Sequence, residues 1–347
     1  MMASLCSCRS QQVFICVFIF ILQGITCFQT STIGICTRGF GKLGARQSLK
    51  SKFLLKEKNF DDAELDRAVK SLRDLAPADE NTINWDAYRA LLAEVAHLSH
   101  KDWKRTEENA KKLAEVISGP EAPAFQNIFS RVLEDGGWYG AVEAAAARPE
   151  GTKPWAVLVS GLNGIRKTSS IYQPWFQRVL QEAIQPPEGA ADDRQALKAD
   201  ELPCGGNSFF RQLDYMIATV ANEEFRELYN HHVEDITKYA RRKDAIFGRY
   251  RCVAEMLGVL LVGAAKKERL NVMLETSGRD VAMFEYVDQF FPDEEYNKLV
   301  VHFQINDLEF AKASVDRRMA GEMEAGAAAV LMHELDPSAT VRANAGG

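Results

Sequence analysis

Apolar runs that alternate with long helical patterns after Pro149 are the feature that most constrains the fold. The runs are AVLVS at 156–160, LNVMLE at 270–275 and KLVVHFQI at 298–305, and the helical patterns fill 171–184, 209–229 and 244–265. The runs are rich in β-branched residues and lack the polar alternation of a half-exposed strand, which is typical of strands buried on both faces. Buried strands separated by helices predict an α/β domain with a parallel sheet, whose ligand site lies at the carboxyl ends of the strands.

The sequence also predicts further strands, a helical segment before the sheet and a tail after it. AAAVLMHE at 327–334 is a candidate fourth strand, and 190–204 is a candidate region for others. Residues 57–150 carry apolar side chains at helical spacing and predict a helical segment in front of an α/β domain at 151–335. The last residues, 336–347, are predicted to form a disordered tail.

The loop after the first apolar run carries a phosphate-binding motif. GLNGIRKT, which starts at Gly161 and includes Gly164, follows the P-loop pattern G-x-x-x-x-G-K-[ST] except that Arg166 replaces the second glycine. In a P-loop, the loop amides and the N-terminus of the next helix bind phosphate. We therefore predict a nucleotide site in which Lys167 reaches the β- and γ-phosphates and Thr168 holds Mg²⁺.

Arg166 leaves several interpretations open. Glycine at this position lets the backbone approach the phosphates without a Cβ, so an inward arginine crowds the nucleotide. An arginine that points away from the site has little effect on nucleotide binding. A guanidinium that lies over the phosphates partly neutralises their charge. Alternatively, the guanidinium fills the empty phosphate site of a domain that has lost catalysis.

A second polar cluster follows the second apolar run. RLNVMLETSGRD places Glu275 at the end of a buried strand, with Thr276 and Arg279 directly after it. A carboxylate in this position can hold Mg²⁺ through water. We expect Glu275 to be a metal ligand and expect Thr276 and Arg279 to contact the acceptor or its phosphate.

These two motifs resemble the zeta toxin family of P-loop small-molecule kinases. In that family a P-loop strand, loop and helix precede long helices and a strand that ends in Glu-Gly-Thr. Glu275 and Thr276 match the acid and the threonine, without the glycine between them. The resemblance covers 155 to about 325 and implies a P-loop NTPase-type parallel sheet with flanking helices. It also implies ATP and Mg²⁺ as cofactors and phosphate transfer to a small hydroxylated metabolite.

The resemblance also implies a catalytic base and a pair of arginines. The family has an aspartate after the first helix that accepts the proton of the acceptor hydroxyl. Asp214 is our first choice, and the other candidates are Asp192, Asp193 and Asp200. The family grips ATP with arginines on a late helix, and Arg317 and Arg318 occupy such a position here, with Lys312 nearby.

The N-terminus predicts a targeting sequence. Residues 1–27 combine Arg9 with the apolar run VFICVFIFIL and predict a cleaved signal peptide that is too short to remain as a membrane span. Residues 28–56 are rich in Ser, Thr, Lys and Arg and contain no acid, as in a transit peptide. Together they resemble the bipartite presequence of algae with complex plastids, so we expect a plastid location. A plain secretory signal is the alternative.

Cysteine usage indicates a reducing environment, and the net charge indicates which class of partner the protein does not bind. Five of the seven cysteines lie in the presequence, which leaves Cys204 and Cys252, too few for a disulfide framework. Residues 1–56 hold seven basic residues and no acid, so their removal takes the formal net charge from −6 to −13. A chain this acidic is a poor nucleic-acid binder, and we expect ATP and a small molecule as partners.

Two further functional classes stay open. One is a nucleotide-binding or degenerate P-loop protein with a scaffold or regulatory role and no catalysis, which Arg166 favours. The other is a metabolic enzyme unrelated to nucleotides. Against a metal hydrolase, His231 and His232 are adjacent rather than spaced to share one helix face, and no G-x-S-x-G motif is present for a serine hydrolase.

Overall fold

A computed structural model describes most of the chain beyond residue 59. The described residues are 60–76, 83–95, 98, 102–184, 198–230, 235–277, 282–305, 307–339, 341 and 342, together with a strand, β1, at Ile15–Ile21. The predicted signal and transit peptides lie outside these residues apart from β1.

Among the described residues, six helices precede the first strand of the α/β part. They are α1 (Asp62–Arg73), α2 (Trp85–Val95), α3 (Trp103–Ile117), α4 (Pro123–Ile128), α5 (Ser130–Asp135) and α6 (Trp138–Ala146). Local sequence signals determine where these helices begin and end. At α1, the Asp61 carboxylate accepts a hydrogen bond from the Glu64 amide, and the Glu64 carboxylate accepts one from the Asp61 amide. This capping box satisfies amides that the first turn leaves unpaired.

The α/β part alternates strands and helices as predicted. Its elements are β2 (Trp155–Ser160), α7 (Lys167–Ser170), α8 (Pro174–Ile184), β3 (Ser208–Arg211), α9 (Leu213–Val220), α10 (Asn222–Asn230), α11 (Ile236–Lys267), β4 (Asn271–Thr276), α12 (Ala282–Phe290), β5 (Asn297–Ile305) and α13 (Leu308–Leu335). The three strands predicted from the apolar runs correspond to β2, β4 and β5, and the prediction for them is confirmed.

The described strands form one sheet in the order β1-β5-β2-β4-β3. Four of them, β5, β2, β4 and β3, run parallel, and β1 pairs antiparallel with the edge of β5. In the register of β2 with its neighbours, Ser160 is opposite Thr276 of β4 and His302 of β5. The parallel α/β class with flanking helices is therefore confirmed, and the loops after β2 and β4 leave the sheet side by side.

The sheet separates two hydrophobic cores. Alternate residues of β2 point to opposite faces, so Leu158 belongs to one core and Val157 and Val159 belong to the other. The core that contains Leu158 continues through α11 into the helices of the N-terminal segment, where Tyr88 is fully buried. The N-terminal helices thus pack on one face of the sheet and share its core.

The fourth parallel strand lies where the sequence predicts a helix. The expected helix at 209–229 is instead β3 followed by α9 and α10. Phe209 and Phe210 are both fully buried, one in each core, which requires the two-residue alternation of a strand. The expected strands within 190–204 are absent from its described residues, 198–204, which hold a short 3₁₀ turn at Ala199–Glu201.

One other expected strand is wrong, and one expected helix is confirmed with a later start. The candidate strand at 327–334 is part of α13, since this stretch is alanine-rich and Leu331 and Met332 are exposed rather than buried between layers. The expected helix at 171–184 begins only at Pro174, because proline fits the first turn of a helix better than its interior.

The described residues after α13 contact the rest of the protein. Residues 336–339 form a turn after α13, and the His333 Nδ1 lies 2.7 Å from the Ala339 carbonyl oxygen. Val341 is buried in the core, and its carbonyl oxygen accepts a hydrogen bond from the Asn222 side chain at 3.2 Å. Apolar burial therefore holds the chain here. Among the described helices, none has the length and apolar character that crossing a membrane requires.

We expect Val341→Ala to lower the free energy of unfolding by about 2 kcal/mol, since it removes two buried methyl groups and leaves a cavity. Val142 on α6 is 37% exposed, and Val142→Ala is the matched control, with an expected change within about 0.5 kcal/mol. Urea unfolding of both variants measures the difference. Equal stability would show that the tail does not contribute to the core.

Candidate functional site

A large cavity opens at the carboxyl ends of β2, β3 and β4. Its volume is about 1110 Å³, at the upper limit of ordinary small-molecule pockets, which span about 300–1,000 Å³. The predicted site residues that line it are Gly164, Lys167, Thr168, Asp214, Glu275, Thr276, Arg317 and Arg318. Four segments far apart in sequence thus meet at the edge of the sheet where an α/β fold binds ligands.

The loop after β2 is held tightly against its neighbours. Gly161 has a φ of +145° and does not line the cavity, and a Cβ there would lie 2.5 Å from the Phe303 carbonyl oxygen. Gly164 has a φ of +83°, and a Cβ there would lie 2.3 Å from the Ala311 carbonyl oxygen of α13. Both glycines are therefore required by conformation and by space, and they fix the path of the loop between β5 and α13.

Arg166 adopts the conformation that explains why glycine is usual at this point of the motif. Its φ of 63° and ψ of 33° lie in the left-handed region, which costs a residue with a Cβ about 1–2 kcal/mol. The side chain is exposed at the rim of the cavity. The Arg166 backbone is strained, but its guanidinium does not fill the site.

Lys167, Thr168 and Glu275 form one connected group at the base of the cavity. The buried Lys167 Nζ lies 3.0 Å from the Glu275 Oε1 and donates a 3.0 Å hydrogen bond to the Leu162 carbonyl oxygen. The Thr168 hydroxyl donates to the other carboxylate oxygen of Glu275 at 3.3 Å. The lysine side chain is only 3% exposed, whereas Glu275 is 32% exposed. The carboxylate thus holds the lysine and the threonine in place and faces the cavity itself.

The helix that follows the loop is shorter than a P-loop predicts. The helix α7 has one turn, Lys167–Ser170, and the chain turns again before α8 starts at Pro174. A single turn carries little of the dipole that favours an anion at a longer helix. Any phosphate bound here depends on Lys167, on the loop amides and on the surrounding arginines.

Asp214 enters the cavity from the first turn of α9. Burial raises the pKa of its carboxyl above the ordinary value of 3.8, and the nearby charge of Glu275 raises it further. Lys243, Arg318 and Arg251 act in the opposite direction and lower it. A carboxylate with a raised pKa that faces other charged groups is a candidate for proton transfer.

The cavity is strongly cationic in an acidic protein. Among the described residues that line it, six are cationic (Arg166, Lys167, Arg211, Arg251, Arg317 and Arg318) and two are carboxylates (Asp214 and Glu275). The whole chain has a formal net charge of −6, whereas the residues that line the cavity carry more positive than negative charges. Such a cavity favours an anionic ligand.

Several cavity residues were not predicted from the sequence. Trp103 of α3, Arg211 at the end of β3 and Arg251 of α11 line the cavity, as do Tyr172 and Tyr215. One signal was available: Arg211 ends a short apolar run just before Asp214. Trp103 and Arg251 lie in helical patterns whose sequence gives no indication of a site.

Not every predicted residue is found at the cavity. Arg279, Asp192 and Asp193 fall outside the described residues, as do His231 and His232, whose spacing argues against a metal site. Asp200 is on the 3₁₀ turn and does not line the cavity, and Lys312 is exposed on α13, where it pairs with Glu309 at 2.7 Å. Of the aspartates considered for the base, Asp214 is the described one that reaches the cavity.

Thr168 and Glu275 offer side-chain oxygens of the kind that magnesium binds. Their side-chain oxygens lie 3.3 Å apart and face the same cavity. Magnesium in kinase sites usually has one or two protein oxygens and completes its shell with water and phosphate oxygens. Within the described part of the chain, no group of three or more His, Cys, Asp or Glu is arranged to hold a metal by itself.

Comparisons with known proteins give no match. No protein-family model, no curated protein and no solved structure matches this chain. Inference about function therefore rests on the residues and geometry of the cavity.

We expect Arg166→Gly to raise the free energy of unfolding by about 0.5–1 kcal/mol, because relief of the left-handed strain exceeds the added entropy of the unfolded chain. Arg166→Ala keeps the Cβ and is the matched control, with no comparable gain. Chemical unfolding of the two variants measures this contrast. Equal stability of the glycine and alanine variants would contradict the left-handed conformation.

The raised pKa of Asp214 predicts a pH-dependent stability difference. The folded carboxyl holds its proton more tightly than the unfolded chain does, so stability falls as the pH rises from 3.8 through the raised folded pKa. We expect Asp214→Asn to be more stable than the parent at pH 7 and expect this gain to disappear below the ordinary pKa. Thermal unfolding across this pH range measures it, with exposed Asp316→Asn as control. A gain that is independent of pH would contradict the account.

Proposed function

We propose that this protein is an ATP-dependent phosphotransferase, a zeta toxin-like P-loop kinase that acts on a small hydroxylated metabolite. The observation that carries the proposal is the convergence of Lys167, Glu275 and Asp214 in one cationic cavity at the carboxyl edge of a parallel sheet. A lysine after a glycine loop binds phosphate, and the two carboxylates have different environments that suit two different roles. The predicted presequence, which contains no acidic residue, favours a plastid location.

The phosphates of ATP are bound by charge and position. Lys167 exchanges part of its contact with Glu275 for the β- and γ-phosphates, while the loop from Gly161 to Lys167 supplies backbone amides. Arg317 and Arg318 approach from α13 and balance the charge of the transferring group. Once Lys167 has made this exchange, all of these groups are in place, so little further reorganisation accompanies the chemical step.

Asp214 is the proposed general base. It accepts the proton of the acceptor hydroxyl while the acceptor oxygen forms a bond to the γ-phosphorus, and the bond from that phosphorus to the bridging oxygen of ADP breaks. The products are ADP and a phosphorylated acceptor. The raised pKa of Asp214 brings its basicity closer to the operating pH, which improves proton transfer.

Thr168 and Glu275 are the proposed magnesium ligands. Magnesium, when bound, neutralises charge on the β- and γ-phosphates. Glu275 also keeps Lys167 and Thr168 oriented, as its two carboxylate oxygens contact one each.

A nucleotide-binding protein without catalysis is the second candidate. The left-handed Arg166 and the single turn of α7 favour it, because both depart from the P-loop pattern at the position of the phosphates. In this case the cavity binds ATP and Asp214 has no proton to accept. A scaffold or regulatory role follows.

Phosphate transfer to pooled hydroxylated metabolites distinguishes the two candidates. We expect ATP labelled in the γ-phosphate to yield a labelled acceptor with the parent chain. Asp214→Asn should lower this rate at least about a hundredfold, the usual contribution of a general base, while binding of ATP stays intact. Asp316→Asn, an exposed carboxylate change on α13, should leave the rate unchanged.

The opposite pattern rejects the kinase. Binding of ATP without transfer to any pool would support the nucleotide-binding protein. Transfer at equal rates in the parent and in Asp214→Asn would show that Asp214 is not the base.

A further inference from the structure

Two arginines share one carboxylate at the α11 end of the cavity. Arg211, at the end of β3, and Arg251, on α11, both line the cavity. The Arg211 guanidinium pairs with one carboxylate oxygen of Glu255, and the Arg251 Nε donates to the other at 3.0 Å. The two guanidinium groups therefore flank a single carboxylate and lie close together.

The structure makes specific room for the Arg211 side chain. A Cβ at Gly258 of α11 would lie 2.4 Å from the Arg211 Nε, so only glycine leaves space for it. The guanidinium stacks over the Tyr286 ring at 5.1 Å and is almost completely buried. Its Nε has no hydrogen-bond partner among the described residues. The pair with Glu255, the Tyr286 ring and the space at Gly258 therefore hold the Arg211 guanidinium in one position before any ligand binds.

Cations outnumber carboxylates in this part of the cavity. The charges of Lys243, Arg318 and Arg251 all lower the pKa of the Asp214 carboxyl, which lines the same cavity. Lys243 pairs with Glu322 between α11 and α13. Arg211 and Arg251 together carry one charge more than Glu255, the carboxylate that they share. Over the whole cavity, the six lining cations outnumber the three carboxylates Asp214, Glu275 and Glu255, so the cavity as a whole keeps a positive balance toward a ligand.

We propose that Arg211 and Arg251 bind an anionic group of the acceptor, a phosphate or a carboxylate, at a subsite separate from Lys167. The inference rests on the proposed function, since it defines the substrate class of the same cavity. The apolar side chains of Trp103 and Met283 line this end and contact the uncharged part of the acceptor. Asp214 lines the same cavity as Glu275 and Arg251, and the proposal places the acceptor hydroxyl beside it.

The test uses inorganic phosphate and acetate as probes in the full chain with Lys167→Ala, which removes the other phosphate-binding group. Calorimetric titration at fixed ionic strength should show binding of one of the probes. Adding Arg251→Gln should weaken that binding about tenfold or more, as loss of a charged hydrogen bond does. Arg251→Lys keeps the charge without the guanidinium fork. Its affinity for the probe should therefore lie between that of Lys167→Ala alone and that of Lys167→Ala with Arg251→Gln.

Arg242→Gln is the matched control. Arg242 is an exposed arginine on the same helix that does not line the cavity, so this change removes the same charge and should alter binding less than about twofold. Binding of phosphate assigns a phosphorylated acceptor, and binding of acetate assigns an acceptor with a carboxylate. Circular dichroism verifies that each variant is folded. If Arg251→Gln does not fold, Arg251→Lys is used in its place.

The outcomes separate this proposal from the proposed function. Absence of binding by both probes, or equal weakening by Arg242→Gln and Arg251→Gln, overturns the subsite. Mg–ATP titrated against Arg251→Gln alone should keep its affinity within about threefold, because Arg251 does not contact the ATP phosphates. Probe binding that depends on Arg251 in a protein that does not bind ATP would retain the subsite and reject the kinase.

Discussion

The ion pair between Lys167 and Glu275 is the interaction on which the site depends. The strands β2 and β4 are neighbours, and Val159 lies opposite Glu275, so the carboxylate emerges next to the loop that leaves β2. The buried Lys167 needs this counter-charge, because a buried cation that loses its partner destabilises a protein by several kcal/mol. The same pairing holds Lys167 and Thr168 where a phosphate and its magnesium would meet them.

The cationic cavity follows from this arrangement and from the helices around it. The helix α13 touches the loop at Gly164, which brings Arg317 and Arg318 to the rim. The helix α3 contributes Trp103, whose indole nitrogen donates to the Ala282 carbonyl oxygen at 3.0 Å and joins the N-terminal helices to α12. These helices therefore complete a wall of the cavity in addition to covering the sheet.

The sequence predicts the long elements of this protein better than the short ones. Buried strands of six to nine residues leave clear apolar runs, whereas β3 has only four residues and its Phe209 and Phe210 also fit a helical pattern. The P-loop-like motif at 161–168 and Glu275 are local motifs and could be predicted to meet, because parallel strands end at one edge. Arg251 and Trp103 reach the cavity through tertiary packing of long helices, which local patterns do not encode.

Calorimetric titration of the chain with Mg–ATP is the most direct test of the central claim, with Lys167→Ala compared with exposed Lys312→Ala. The account predicts saturable binding that Lys167→Ala weakens about ten- to a hundredfold, the effect of losing one charged hydrogen bond, and that Lys312→Ala leaves unchanged. No binding by a folded parent chain, or equal affinity of the two lysine variants, would contradict the claim that this cavity is a nucleotide site.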